Sequence, residues 1–199
     1  MADTGWLSFT NVGQSDIGGS DAVWGSLDLT LDTEIRTSDG NLAGGNGGYA
    51  YTGASSGALQ TKFLYGTQLM SVPTEFSSPS SDMVVIQGIQ VRIEKNSTNC
   101  GSVYWYDSHV QLWDGGRMGD NKASGTAWPM YPAADSIVVY GGETDTWGLS
   151  LTQAQILGSS FGAGVRATKG ASLSCRPYVD MIQMKIYYEL KPSGMFLTI

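Results

Sequence analysis

Few side chains in this sequence are equipped for chemistry. Its single histidine, His109, lies in a stretch that alternates apolar and polar residues as a strand does. An imidazole acts as a triad base only beside an activated serine or thiol, and no cysteine is near it in sequence. It reads as a solvated strand residue on a polar face between Asp107 and Gln111. Cys100 and Cys175 read as two inert thiols, since a disulfide needs their Cα atoms within about 7 Å. One histidine and two distant cysteines do not make a closed zinc site. Asp114-Gly115-Gly116 and Asp120-Asn121 lack the EF-hand spacing and read as turn formers. Among the carboxyls, Asp120, Glu143, Asp145 and Asp180 would form a glycosidase pair only at separations of about 5–9.5 Å. Solvated loop acids are the plainer reading. Tyr104, Trp105, Tyr106 and Trp113 flank His109 and could form a carbohydrate platform, with core filling as the alternative. No residue is assigned a catalytic, metal-binding or cofactor-binding role.

The elements that would position these groups are strands. Leu27, Leu29 and Leu31 alternate with Asp28, Thr30 and Asp32, and Ile89, Val91 and Ile93 with Gln90, Arg92 and Glu94. Val110 and Leu112 form a third row, Phe161 to Ala167 a fourth, and Ile182 to Tyr188 a fifth. Each predicts a strand with one buried and one wet face, as in antiparallel sheets. Gly44–Gly48, Ser77–Ser81 and Asp114–Gly116 separate them as loops. One short helix near residues 152–157 is signposted by Thr152 and Gln155 as a capping box. Leu151 and Ile156 take its staple positions and Gly158 the site just past its end. The expected fold is all-β, an antiparallel two-sheet sandwich, jelly-roll-like.

At 199 residues the chain suits one such domain. Its 27 glycines favour turns and bulges over long helices. Residues 1–20 read as an N-terminal arm, 21–190 as the sandwich and 191–199 as a C-terminal extension. Trp6 and Phe9 at one end, and Met195, Phe196, Leu197 and Ile199 at the other, are candidate interface residues that could add strands to a neighbour. With 18 acids against 11 bases and no basic cluster, a nucleic-acid partner is not expected. The sequence opens on an acidic stretch with no apolar core behind it, so a secretory leader and a membrane span are not expected, and synthesis in a host cytoplasm is.

From Gly119 onward the sequence resembles a domain found in structural proteins of tailed bacteriophages. The resemblance rests on Gly119-Asp120-Asn121-Lys122-Ala123-Ser124-Gly125-Thr126-Ala127-Trp128-Pro129, on Tyr140-Gly141-Gly142-Glu143-Thr144-Asp145-Thr146-Trp147-Gly148-Leu149, and on Ser160-Phe161-Gly162. Val179 to Tyr188 follows in the same order, with a weaker match over Ile86 to Ile93. It implies a non-enzymatic virion protein, a capsid decoration (cement) protein, a head fibre or a tail component; the first is the leading expectation, acting through subunit contacts as a homo-oligomer, with the major capsid protein or other virion proteins as partners. The alternative it leaves is a tail or fibre module binding host-surface carbohydrate. It carries over no catalytic residue.

Overall fold

The computed structural model describes residues 1–15, 21–26, 50–52, 59–79, 83–99, 101–131, 133, 136–171 and 175–191. The Leu27–Leu31 row, the Gly44–Gly48 loop, Cys100 and Met195–Ile199 lie outside them. Among the described residues eleven strands form two antiparallel sheets. They are β1 (Ala2–Asp3), β2 (Phe9–Ser15), β3 (Trp24–Ser26), β4 (Ala50–Thr52), β5 (Phe63–Leu69), β6 (Val84–Ser97), β7 (Trp105–Asp114), β8 (Arg117–Met118), β9 (Ser136–Gly142), β10 (Phe161–Lys169) and β11 (Pro177–Leu190). The first sheet runs β3-β4-β11-β6-β9, with β1 also pairing with β11, and the second runs β2-β5-β10-β7-β8.

From β4 onward the chain passes back and forth between the layers. The order β4-β11-β6-β9 in one sheet is matched place for place by β5-β10-β7-β8 in the other. That interleaving is a jelly roll. Residues 1–15, read from sequence as an arm, contribute β1 to the first sheet and β2 to the second.

The alternating rows sit where period-2 patterning puts them. Ile89, Val91, Ile93, Val110, Leu112, Phe161, Ala163, Val165, Ile182, Met184 and Ile186 are fully enclosed in one core. Each large aliphatic or aromatic side chain so enclosed contributes about 1.5–3 kcal/mol relative to exposure. One departure matters for the chemistry. The pairing of β7 with β10 slips between Arg166 and Ala167, opposite His109 and Asp107, so Ser108 is an extra residue. A bulge of this kind reverses the alternation. Trp105 and Asp107 therefore face inward, as do Val110 and Leu112 beyond it. Asp107 is not on the wet face with Gln111, as the unbroken alternation suggested.

Two one-turn helices brace one end of the sandwich. The helix α1 (Thr74–Ser77) has no side-chain cap, which is why the sequence read its last residue as loop. Its Phe76 is buried edge-on against Tyr188, ring centres 5.0 Å apart. The expected helix is present as α2 (Gln153–Ile156). The Gln155 amide donates to Thr152 Oγ1 at 3.2 Å and the Thr152 amide donates to Gln155 Oε1 at 3.0 Å. Buried Gln153 donates to the Phe76 and Pro79 carbonyls, tying α2 to α1.

Candidate functional site

The densest polar constellation lies between the layers. Lys95 from β6 and Tyr140 from β9 meet Asp107 from β7, all in the interior. Lys95 Nζ donates to Asp107 Oδ1 at 2.6 Å and also to Tyr140 Oη. Tyr140 Oη donates to Asp107 Oδ2 at 2.7 Å. Trp128 Nε1 donates to Oδ1 at 2.8 Å, and the Ser124 amide to Oδ2 at 3.1 Å. Lys95 Nζ also lies 5.0 Å from the Trp128 ring centre and 5.2 Å from that of Tyr140. Burial pushes the Lys95 ammonium below the usual lysine range, against the opposing pull of Asp107. Burial and the Asp107 charge together push the Tyr140 phenol up. The sequence reading missed this cluster, because its members come from separate strands and loops. A lysine on the apolar side of β6, after Ile89, Val91 and Ile93, was the one available signal.

The segments Gly119–Lys122 and Tyr140–Leu149 pack together around Trp147. Its indole is buried and its Nε1 donates to the Ile89 carbonyl at 2.9 Å. Trp147 sits in the left-handed region, φ 59°, a position that costs a non-glycine residue about 1–2 kcal/mol. Gly141, φ +77°, packs where a Cβ would fall 2.2 Å from the Ile89 carbonyl oxygen, so both its backbone conformation and its close packing call for glycine. Lys122 Nζ bridges Asp145 Oδ2 at 2.9 Å and Asp120 Oδ2 at 3.3 Å. Asp145 Oδ1 accepts from the Trp147 amide at 2.8 Å. Burial works to raise the Asp145 carboxyl, but Lys122 and the Trp147 amide outweigh it and hold it below the usual range. Two of the four carboxyls considered for glycosidase work are thus brought together, around a lysine that neutralises them. Glu143 is exposed on the turn after β9, and Asp180 is buried at the irregularity in β11 between Val179 and Met181.

The outer face of the second sheet holds the remaining candidates. Gly162 and Gly164 leave β10 bare there, and Tyr65 from β5 stacks on Trp113 from β7 above it, ring centres 3.9 Å apart. Phe63 stacks on Trp113 at 5.7 Å. Of the proposed platform, Trp105 is 1% exposed in the core at the opposite end of β7 and Trp113 is 8% exposed. Tyr104 is exposed and Tyr106 half-buried. The four do not form one surface. His109 Nδ1 shares a hydrogen bond with Ser108 Oγ at 3.0 Å, and burial, Arg117 and Arg166 lower its pKa. Arg166 clamps Asp21 at 2.6 and 2.7 Å and donates through Nε to the Thr61 carbonyl at 2.9 Å.

Two stretches carry the G-x-S-x-G spacing that can present a nucleophilic serine, a motif the sequence reading passed over. Gly53–Gly57 lies outside the described residues. In Gly158–Gly162, Ser160 leads from a helix into a strand, the reverse of a nucleophile elbow, and donates to Asp114 Oδ1 at 2.5 Å. Cys175 also departs from expectation, being disulfide-bonded rather than a free thiol. The chain's other cysteine, Cys100, lies outside the described residues.

Of the expected interface residues, Phe9 is 1% exposed and belongs to the core. Trp6 is half-buried on the outer face of the first sheet, its ring centre 4.5 Å from the Arg92 guanidinium carbon and 5.0 Å from Lys185 Nζ. The apolar surface the sequence reading missed is on β9. Among the described residues no strand pairs with its outer edge, and Ile137 and Val139 are 50% and 47% exposed. A groove of about 430 Å³ runs between the start of β6 and the loop into α2, lined among others by Val84, Ile86, Leu149 and Leu151. Among the described residues no three histidine, cysteine or carboxylate side chains cluster as metal ligands, and no helix is long and apolar enough to cross a membrane. The chain matches no family model, no curated protein and no solved structure.

Proposed function

We propose that this chain is a non-enzymatic structural protein of a tailed-phage particle, a capsid decoration (cement) protein that stabilises the shell by contact. The observation that carries the reading is the β9 edge, where Ile137 and Val139 are exposed and, among the described residues, no strand pairs with the outer side. Edges of this kind are usually blunted by charge, proline or a bulge. Here the segment Ser136-Ile137-Val138-Val139 has none of the first two, and its pairing with β6 runs without a shift. A strand from a neighbouring virion protein would add to it through main-chain hydrogen bonds, with the two side chains supplying apolar area. Covering each remaining half-exposed side chain contributes about 1 kcal/mol, which becomes substantial when repeated over a shell. The resemblance of Gly119–Pro129 and Tyr140–Leu149 to phage structural proteins points the same way. The carbohydrate alternative has less support, because Trp105 and Trp113 are both buried.

The test is particle binding by the Ile137→Lys and Val139→Lys double variant. Both positions are exposed, so the variant should melt as the parent does while its occupancy on particles falls at least about tenfold. Full occupancy by the variant would remove β9 from the interface. Failure of the parent protein to label any particle by electron microscopy would overturn the virion role itself.

A further inference from the structure

We infer that Lys95 and Asp107 condense spontaneously into an isopeptide bond that covalently joins the two sheets. The inference stands apart from the virion reading and rests on the geometry of the buried cluster. Lys95 Nζ and Asp107 Oδ1 are 2.6 Å apart, with side chains 3% and 0% exposed. That holds the amine in hydrogen-bond contact with the carboxyl it would attack, the kind of positioning that substitutes for high reactant concentration. A plain ion pair would need only two groups. This site has a third ionisable group touching both partners, since Tyr140 Oη accepts from Lys95 Nζ and donates to Asp107 Oδ2. It also has a fixed donor on the other oxygen, Trp128 Nε1 at 2.8 Å from Oδ1.

These groups divide the steps between them. The Lys95 ammonium first passes a proton through the Tyr140 hydroxyl to Asp107 Oδ2, leaving a neutral amine and a carboxylic acid. Burial favours that exchange by disfavouring the charged lysine. Lys95 Nζ then adds to Cγ, and Trp128 Nε1 stabilises the negative charge gathering on Oδ1. Tyr140 next takes a proton from the nitrogen and gives its own to Oδ2. The Cγ–Oδ2 bond breaks, one water departs, and the Nζ–Cγ amide remains with Oδ1 as its carbonyl. Amine and acid thus become amide and water, and nothing else is consumed.

Mass spectrometry of the full chain tests it. After reduction of disulfides, the intact mass should be lower than the sequence mass by one water. With cleavage after Lys95 blocked, tryptic digestion should give one peptide, residues 93–117, lighter by one water and closed into a loop between the Lys95 and Asp107 side chains. The Asp107→Ala variant should show no such loss. The Tyr140→Phe variant keeps the ring but lacks the relay, and should condense slower by roughly 10²-fold or more. Parent protein at the full sequence mass, with the two segments as separate linear peptides, overturns the inference whether or not either variant folds. A looped, water-depleted 93–117 peptide formed by Tyr140→Phe at the parental rate overturns the assignment of Tyr140 as the relay.

Discussion

Arg166→Met separates a buried clamp from surface decoration. Arg166 reaches from β10 to grip Asp21 through two short contacts while its Nε serves the Thr61 carbonyl. The two charged side chains are only 6% and 4% exposed. Methionine fills similar volume but leaves the Asp21 carboxylate enclosed without its cation. Breaking a buried pair from one side costs about 3–5 kcal/mol. For a chain of this size each kcal/mol moves the melting temperature by roughly 2–4 °C, so a fall of about 6–20 °C is expected. Lys122→Met supplies the contrast. Its partners Asp145 and Asp120 are 32% and 60% exposed, and surface pairs of that kind are worth about 0–1 kcal/mol. Calorimetry and urea unfolding of both variants measure the difference. The Arg166→Met, Asp21→Leu double variant should recover much of the loss, because replacing both partners of a buried pair is often close to neutral. A loss below about 1 kcal/mol for Arg166→Met would refute the reasoning, since the clamp would then behave as a surface pair.

Two further outcomes follow from the same geometry. Gly141→Ala should destabilise by about 2 kcal/mol or more, read as a drop in melting temperature, because its Cβ would fall 2.2 Å from the Ile89 carbonyl oxygen at a positive φ. An unchanged melt would mean the packing around Trp147 yields easily. The second concerns His109, whose folded-state pKa burial, Arg117 and Arg166 depress. A depressed value means the unfolded chain binds the proton more readily. The contribution of His109 is thus complete above its unfolded pKa of about 6.5 and is lost as pH falls through the lower folded value. Proton NMR of this single imidazole should give a midpoint below 6.5, and Arg117→Gln should raise it. A midpoint at or above the ordinary value would contradict that arrangement.

What the sequence made legible was whatever depends on neighbours along the chain. The rows at Ile89–Ile93, Phe161–Ala167 and Ile182–Tyr188 face inward in strict alternation, and the Thr152–Gln155 box caps the helix it announces. Where one inserted residue resets the count, the reading failed. Ser108 turns Asp107 from a wet face into the centre of the protein, and no composition signal marks a bulge. Phe9 looked like an exposed arm residue because β2 is short of apolar partners in sequence; its burial comes from the core it enters. The Lys95 cluster was illegible for a similar reason, its partners being supplied by β7, β9 and the loop between β8 and β9.

The pairing of β1 with β11 has a consequence for how the molecule is made. Ala2 finds its place only opposite Tyr188, and the Thr4 amide waits for the Ile186 carbonyl. A ribosome emits these residues far apart in time, so the first sheet cannot close until β11 has been made. Such distant closure slows folding and leaves strand edges uncovered in the meantime. Until then translation delivers a half-laced bodice, and the seam is drawn shut only once β11 emerges.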